Sequence, residues 1–144
     1  MSRPLKLDER GSVTLWLMIT AVALFGAVGL IADGGAAMAA KGRAISDAYG
    51  AARAGAEALN RAAFAQGAPP SPDVGAARGA VSAFLSKAGA DPAHAQIAVS
   101  AREVTVTVEL SSPTPLLSAI GIGSITVSGH GRARPVYGVG GVRP

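Results

Sequence analysis

Few side chains in this 144-residue sequence are of the types that perform acid–base or nucleophilic chemistry. Its two histidines are His94, in a polar segment, and His130, among glycines. A hydrolase needs a nucleophile, a base and an orienting group that meet in space, and two isolated histidines are a poor basis for one. We therefore expect no enzymatic activity. We expect His130 to face solvent because it falls on the polar side of an alternating segment.

Metal and cofactor sites are not predicted either. The nine Asp and Glu residues are scattered, without H-E-x-x-H or calcium-loop spacing. Because the sequence has no cysteine, it offers no thiolate zinc site and no disulfide. The glycines at 121–123 and 138–141 do not follow a strand and open a helix, so we interpret them as turns or tail rather than as phosphate loops. We expect no metal and no cofactor.

Composition predicts one small domain with a thin core. The chain is 49% hydrophobic, but it contains only three Phe, two Tyr and one Trp. Thirteen Lys and Arg residues against nine Asp and Glu give a net charge of +4, which favours anionic surroundings such as lipid head groups or wall polymers. This bias is too weak to imply nucleic acid, and we expect no nucleic-acid partner.

An uncharged segment near the start predicts a membrane helix. No charged residue lies between Arg10 and Asp33, and sixteen of the 21 residues at 12–32 are apolar. As a helix this segment covers about 31 Å, close to the thickness of a bilayer's hydrocarbon core. The main alternative is a secretory signal peptide cut at Ala37-Met38-Ala39, but the apolar region of a signal is only about 7–15 residues long. A buried globular helix would need more large apolar residues than the remainder has.

Charges flanking this segment predict its orientation. Arg3, Lys6 and Arg10 lie in the tail 1–11, against Lys41 and Arg43 on the far side. Since positive charge is retained in the cytoplasm, we predict a cytoplasmic tail, a single pass through the cytoplasmic membrane and a carboxyl-terminal domain outside. Asp33 is expected to mark the outer boundary of the span.

Residues 33–66 are alanine-rich and proline-free, which predicts that the helix continues outward, with a bend at Gly34-Gly35. A heptad-like stripe runs along this extension. It consists of Met38, Ile45, Tyr49, Ala52, Ala56, Leu59 and Ala63. We predict that Ile45, Tyr49, Ala52, Ala56 and Leu59 are its helix-packing residues. Small side chains allow a close approach, either by a partner helix or by the chain's own domain.

The remaining residues, 67–136, predict a small α+β domain outside the membrane. Prolines at 69, 70 and 72 end the extension, and a second helix begins at Pro72 or Asp73 and runs to about Lys87. Alternation at 97–99, 104–110 and 124–134 predicts a three-stranded antiparallel sheet, with a turn near Arg102 and one helical turn at 116–120. Residues 137–144 are predicted to be a flexible tail.

Several segments, in their order along the chain, resemble the TadE/TadG-like proteins of tight-adherence (Flp, type IVc) pilus systems. These are D-E-R-G-S-V-T-L-W at 8–16, I-A-D at 31–33, D-A-Y-G-A-A-R-A-G-A at 47–56, V-T-V-T-V at 104–108, P-L-L-S-A-I-G-I at 115–122 and I-T-V-S at 125–128. The resemblance covers most of the chain. It implies a pilin-like fold and a non-enzymatic pilus-assembly or minor pilin-like role, with other pilus or secretion-system proteins as partners.

The resemblance also implies a processing site. In pseudopilin members a prepilin peptidase cuts after a glycine, here Gly11, and frees the next residue, here Ser12. Those members carry a glutamate five residues after the glycine, which pairs with the new amino terminus of a neighbour, whereas this chain has Trp16. A buried amine without its carboxylate is costly, so the departure favours a membrane-resident, TadG-like role over that of a fibre subunit.

A second hypothesis belongs to another class of function. Arg132, Arg134 and Arg143 lie near the carboxyl terminus. A membrane-anchored cell-surface module could use this basic end to bind anionic wall polymer or lipid. Neutralising the three arginines distinguishes the two hypotheses, because only the second then loses surface association.

Overall fold

The computed structural model describes residues 9–135, and one long helix dominates them. Helix α1, Glu9–Glu57, contains 49 residues and is therefore about 74 Å long. Its hydrogen bonding continues through Gly34 and Gly35, so the predicted bend does not interrupt it. The predicted tail 137–144 and most of the predicted cytoplasmic tail 1–11 lie outside the described residues.

Two further helices and three strands follow α1. In chain order they are α2 (Arg61–Ala65), α3 (Val74–Ala88), β1 (Ala95–Val99), β2 (Val104–Pro113) and β3 (Ser124–Ala133), with 3₁₀ turns at Pro92–His94 and Leu117–Ile120. The strands form one antiparallel sheet in the order β1-β2-β3. The predicted α+β fold is confirmed: a long apolar helix, a further helix and a three-stranded antiparallel sheet.

Alternation along β2 decides which face of the sheet is buried. Val104, Val106 and Val108 are at most 1% exposed, while Thr105 and Thr107 between them lie on the other face. These valines pack with α3 and the outer part of α1 in a single core. Its buried members are Ala48, Ala51, Ala52, Ala56, Ala77, Val81, Leu85, Ala90, Val104, Val106 and Val108. The core is as thin as the composition predicts, and α1 forms one of its walls.

Capping residues explain where α3 begins and ends. The Asp73 side chain accepts a hydrogen bond from the N–H of Ala76 at 2.8 Å, which satisfies an otherwise free donor of the first turn. At the other end Gly89 has φ +80°, a left-handed conformation that glycine adopts without strain. Both ends agree with the predicted helix to within a residue or two.

The extension ends as a helix earlier than predicted, at Glu57 rather than at residue 66. No proline or glycine lies at the break, and long-range pairing accounts for it. The N–H of Asn60 donates to the carbonyl of Ser71, and the N–H of Asp73 donates to that of Ala58. Residues 71–73 therefore form hydrogen bonds with backbone groups that a continued helix would use. Asn60 then caps the short helix α2.

Two glycines bring β3 into direct contact with α1. A Cβ atom at Gly129 would overlap backbone atoms of Ala44 and Ile45, and one at Gly131 would overlap backbone atoms of Ala48 and Tyr49. Both glycines and both alanines are buried. The sheet thus lies on the helix without an intervening layer of side chains at these positions.

This contact makes a prediction about stability. Gly131→Ala should lower the free energy of unfolding by about 1–3 kcal/mol, because the backbones must move apart to admit a methyl group. The measurement is urea unfolding of the full chain in detergent micelles, followed by circular dichroism. The control Gly79→Ala adds a methyl group in α3, where nothing lies within 4 Å, and should raise stability by about 0.5–1 kcal/mol. Equal stabilities for the two variants would contradict the close contact.

Candidate membrane and packing surfaces

The amino-terminal part of α1 is apolar and uncovered. All its large apolar side chains from Val13 to Ile31 are more than half exposed, including Trp16 at 69% and Phe25 at 80%. Only 6% of its most apolar 18-residue window is buried. A core helix of a soluble protein would bury that surface. Within residues 9–135, α1 is the one helix long and apolar enough to cross a membrane.

The predicted processing site lies at the beginning of this helix. Gly11 and Ser12 both fall in the first turn of α1, which starts at Glu9. Ser12 is exposed, and Trp16 lies about one turn further along. After Ser12, the next carboxylate along α1 is that of Asp33.

Asp33 joins the end of the apolar segment to the domain. Its side chain is 3% exposed, and its Oδ2 accepts hydrogen bonds from the N–H groups of Leu116 at 3.1 Å and Leu117 at 2.7 Å. These two bonds compensate the burial of the carboxylate and satisfy donors at the start of the 3₁₀ turn. The sequence places Asp33 at the boundary, but its partners lie more than 80 residues away and are not apparent from the sequence.

Contacts on both sides of the Ala37-Met38-Ala39 segment tie α1 to the domain. Asp33 lies before it, and Ala37 is itself 9% exposed. Beyond it, Lys41 donates a hydrogen bond through Nζ to the carbonyl of Ser128. A cut after Ala39 would separate the domain from the carboxylate that holds the 3₁₀ turn.

The structure divides the predicted packing stripe into two parts. Ala52 and Ala56 are buried, at 0% and 2% exposure, within the chain's own core. Ile45 and Tyr49 remain 37% and 57% exposed, and Leu59 is 38% exposed beyond the end of α1, where it bridges to Pro72. Ala52, Ala56 and Leu59 thus contact the chain's own domain, and Ile45 and Tyr49 stay accessible to a partner.

The sequence pattern misses the residues on which the sheet lies. The buried line of α1 passes through Ala37, Ala44, Ala48 and Ala51, each one residue before a position of the predicted stripe. Large apolar side chains outweigh alanine in a periodicity argument, so Ile45 and Tyr49 define the stripe. The glycines at 129 and 131 are the signal that a small-residue face of a helix lies opposite.

We name the exposed surface formed by Met38, Ile45 and Tyr49 the outer helix face. Their exposed fractions are 76%, 37% and 57%. On the same part of α1, the ring of Phe84 fills the space where a side chain at Gly50 would be, and Phe84 itself is 37% exposed. The outer helix face therefore extends towards an aromatic residue of α3.

The arginines of the second hypothesis are partly neutralised. Arg132 Nη2 lies 3.5 Å from Glu103 Oε1, and Arg134 Nε lies 3.6 Å from Glu103 Oε2. Both arginine side chains are more than 60% exposed, so each pair is worth little to stability. Arg143 lies outside the described residues. The basic end as described is a pair of cations sharing one carboxylate.

The two histidines lie in separate, exposed places. His130 is exposed, as predicted, with its Nδ1 at 2.9 Å from Thr107 Oγ1 on the neighbouring strand. His94 Nδ1 lies 3.1 Å from Asp91 Oδ2. The pKa of the Asp91 carboxyl is lowered, chiefly because it accepts a hydrogen bond from the N–H of Ala93 and secondarily because of His94. Among residues 9–135, no three His, Asp or Glu residues are grouped to hold a metal ion.

The Asp33 junction makes a testable prediction. Asp33→Ala should accelerate amide hydrogen exchange at Leu116 and Leu117 roughly 10- to 100-fold, since an unpaired buried donor costs about 1–3 kcal/mol. The measurement is hydrogen exchange of the full chain in micelles. Asp47→Ala, which removes a carboxylate about 21 Å further along α1, is the control and should leave both amides protected. Equal exchange in the two variants would show that Asp33 does not hold the turn.

Comparison of the chain with protein-family models, with curated proteins and with solved structures finds no match.

Proposed function

We propose that the chain is a non-enzymatic, membrane-anchored pilus-assembly component or minor pilin-like protein that supports biogenesis of a Tad/Flp-type adhesive pilus. One observation carries the proposal. Helix α1 is uninterrupted, and the large apolar side chains of its first half are exposed. Its second half forms one wall of a small α+β core. This arrangement suits a protein that presents a domain at a fixed position beside a membrane.

The proposed location is the cytoplasmic membrane, with the amino terminus inside and the domain outside. Support comes from the charge distribution of the sequence and from the uncovered surface of α1, which needs lipid or other helices around it. The proposal also requires that the anchor is retained. The contacts of Asp33 and Lys41 on either side of Ala39 support retention, because a signal-type cut would break the first of them.

Between the two pilus roles, we propose the membrane-resident one. A chain cut at Gly11 would place the charged amine of Ser12 at the start of an apolar helix, and Trp16 offers no carboxylate to pair with it. Lateral contacts to other pilus or secretion-system proteins would use the outer helix face, since Ala52 and Ala56 are already covered.

The resident role predicts an intact amino terminus. Mass spectrometry of the protein purified from the membranes of its native cells should recover peptides that include residues before Gly11. The prepilin peptidase of the same cells, active on their major pilin, serves as the control for processing. A mature chain that begins at Ser12 would instead favour a fibre subunit.

The packing role predicts which substitutions disturb assembly. Tyr49→Glu and Ile45→Glu should reduce surface pili severalfold, because each places a carboxylate on the outer helix face without entering the core. Pili are counted by electron microscopy, and protein levels in the membrane are measured by immunoblot. Ser46→Glu adds the same charge at an exposed polar position of α1 and should leave pili at the level of the unsubstituted protein.

Normal piliation in both Tyr49→Glu and Ile45→Glu cells, at unchanged protein level, would contradict packing through this face. Ala52→Glu is unsuitable for the experiment. Its carboxylate would enter the chain's own core and unfold the domain, so a loss of pili would not report on a partner.

A further inference from the structure

An uncharged loop lies beside the end of the apolar segment of α1. We name residues 114–123, which connect β2 to β3, the β2–β3 loop. It contains no charged side chain, and none occurs between Glu109 and His130. Leu116, Ile120 and Ile122 are 50%, 73% and 44% exposed. Three exposed aliphatic side chains in so short a segment mark an interaction surface.

The contact of Leu116 with α1 shows which level of the helix the loop reaches. A Cβ atom at Gly29 would lie 3.2 Å from the Cβ of Leu116. Gly29 precedes Asp33 by four residues, or about 6 Å along the helix, and therefore belongs to the uncharged segment 12–32. The loop thus reaches the level of the last turn of the apolar segment, and its exposed side chains continue the exposed apolar surface of α1.

The backbone of the β2–β3 loop is hydrogen-bonded within the protein. Lipid supplies no acceptors, so irregular backbone enters it only where its polar groups are already paired. Seven of the loop's nine amides donate to protein acceptors: those of Thr114, Leu116, Leu117, Ser118, Ala119, Gly121 and Ile122. Asp33 Oδ2 accepts two of these hydrogen bonds, which gives the buried carboxylate a role beyond marking the boundary.

We propose that the β2–β3 loop inserts Leu116, Ile120 and Ile122 into the bilayer leaflet on the domain's side, as a second membrane contact next to α1. The inference rests on the membrane anchoring of the proposed function. Lipid is the occupant that fits, because the loop is continuous with the candidate span at Gly29, is uncharged and has most of its amides paired. With α1 as the one membrane contact, α1 and the domain can tilt and rotate together in the bilayer, whereas a second contact fixes their orientation.

The sheet shows what this orientation would be. The ten residues of β2 run from the hairpin at 100–103 to the β2–β3 loop, a length of about 30 Å. With the loop in the leaflet, the β1–β2 hairpin is the part of the sheet held furthest from the membrane. Ala101, which is exposed in that hairpin, is therefore a matched control position.

The natural absence of cysteine makes the experiment direct. Ile120→Cys, Ala101→Cys and Leu24→Cys are each introduced into the full chain, labelled with the environment-sensitive fluorophore NBD and reconstituted in vesicles of phosphatidylcholine and phosphatidylglycerol. Spin-labelled phospholipid is the quencher. All three positions are exposed, so the substitutions leave the core unchanged. We expect a blue-shifted emission at 24 and 120, with quenching by lipid severalfold stronger at 120 than at 101.

Each alternative outcome is distinct. Quenching at 24 but not at 120 would overturn the loop insertion and leave the anchor in place. Equal, weak quenching at all three positions would overturn both the insertion and the proposed anchoring. A blue shift at 120 without quenching by lipid would mean that protein rather than lipid surrounds the loop, which also overturns the proposal.

Discussion

Direct contact between two backbones is the constraint on which the rest of this fold depends. The strand β3 lies on α1 at Gly129 and Gly131, opposite Ala44 and Ala48, with no side chain between them. Dispersion forces act over short distances, so a flat, small-residue surface can hold two elements together when they approach this closely. Small residues at these four positions are therefore what this contact requires. The domain compensates with a small set of valines and Leu85 behind the alanine face.

The second organising feature is that α1 passes through two environments. Its first half exposes large apolar side chains, and its second half presents small ones to the sheet. Asp33 lies where the two halves meet, and its carboxylate is bonded to the domain rather than hydrated. The charge therefore serves the fold as much as it ends the apolar segment. Because the same helix continues through this point, the domain cannot move independently of the segment that we propose lies in lipid.

Local signals in the sequence predict much of this structure. Length and lack of charge identify the apolar half of α1, Asp73 and Gly89 identify the ends of α3, and alternation identifies the three strands. Features that depend on distant residues are not predicted. The end of α1 at Glu57 is set by pairing with residues 71–73, and the partners of Asp33 lie at 116–117. The packing stripe is only partly located, because hydrophobic periodicity gives alanine little weight against Ile45 and Tyr49.

The same helix–strand contact has a consequence for how the chain reaches its fold. Gly129 contacts Ala44, which lies 85 positions earlier in the sequence, and β3 is the last strand in residues 9–135. Contacts between residues so far apart in sequence slow folding, because the entropic cost of closing a long loop is incurred before the stabilising contacts form. Until β3 has been synthesised, Ala44 and Ala48 lack the strand that covers them. The order of the elements thus leaves apolar surface of the outer half of α1 exposed until β3 has been synthesised, and such surface on a growing chain is prone to aggregation.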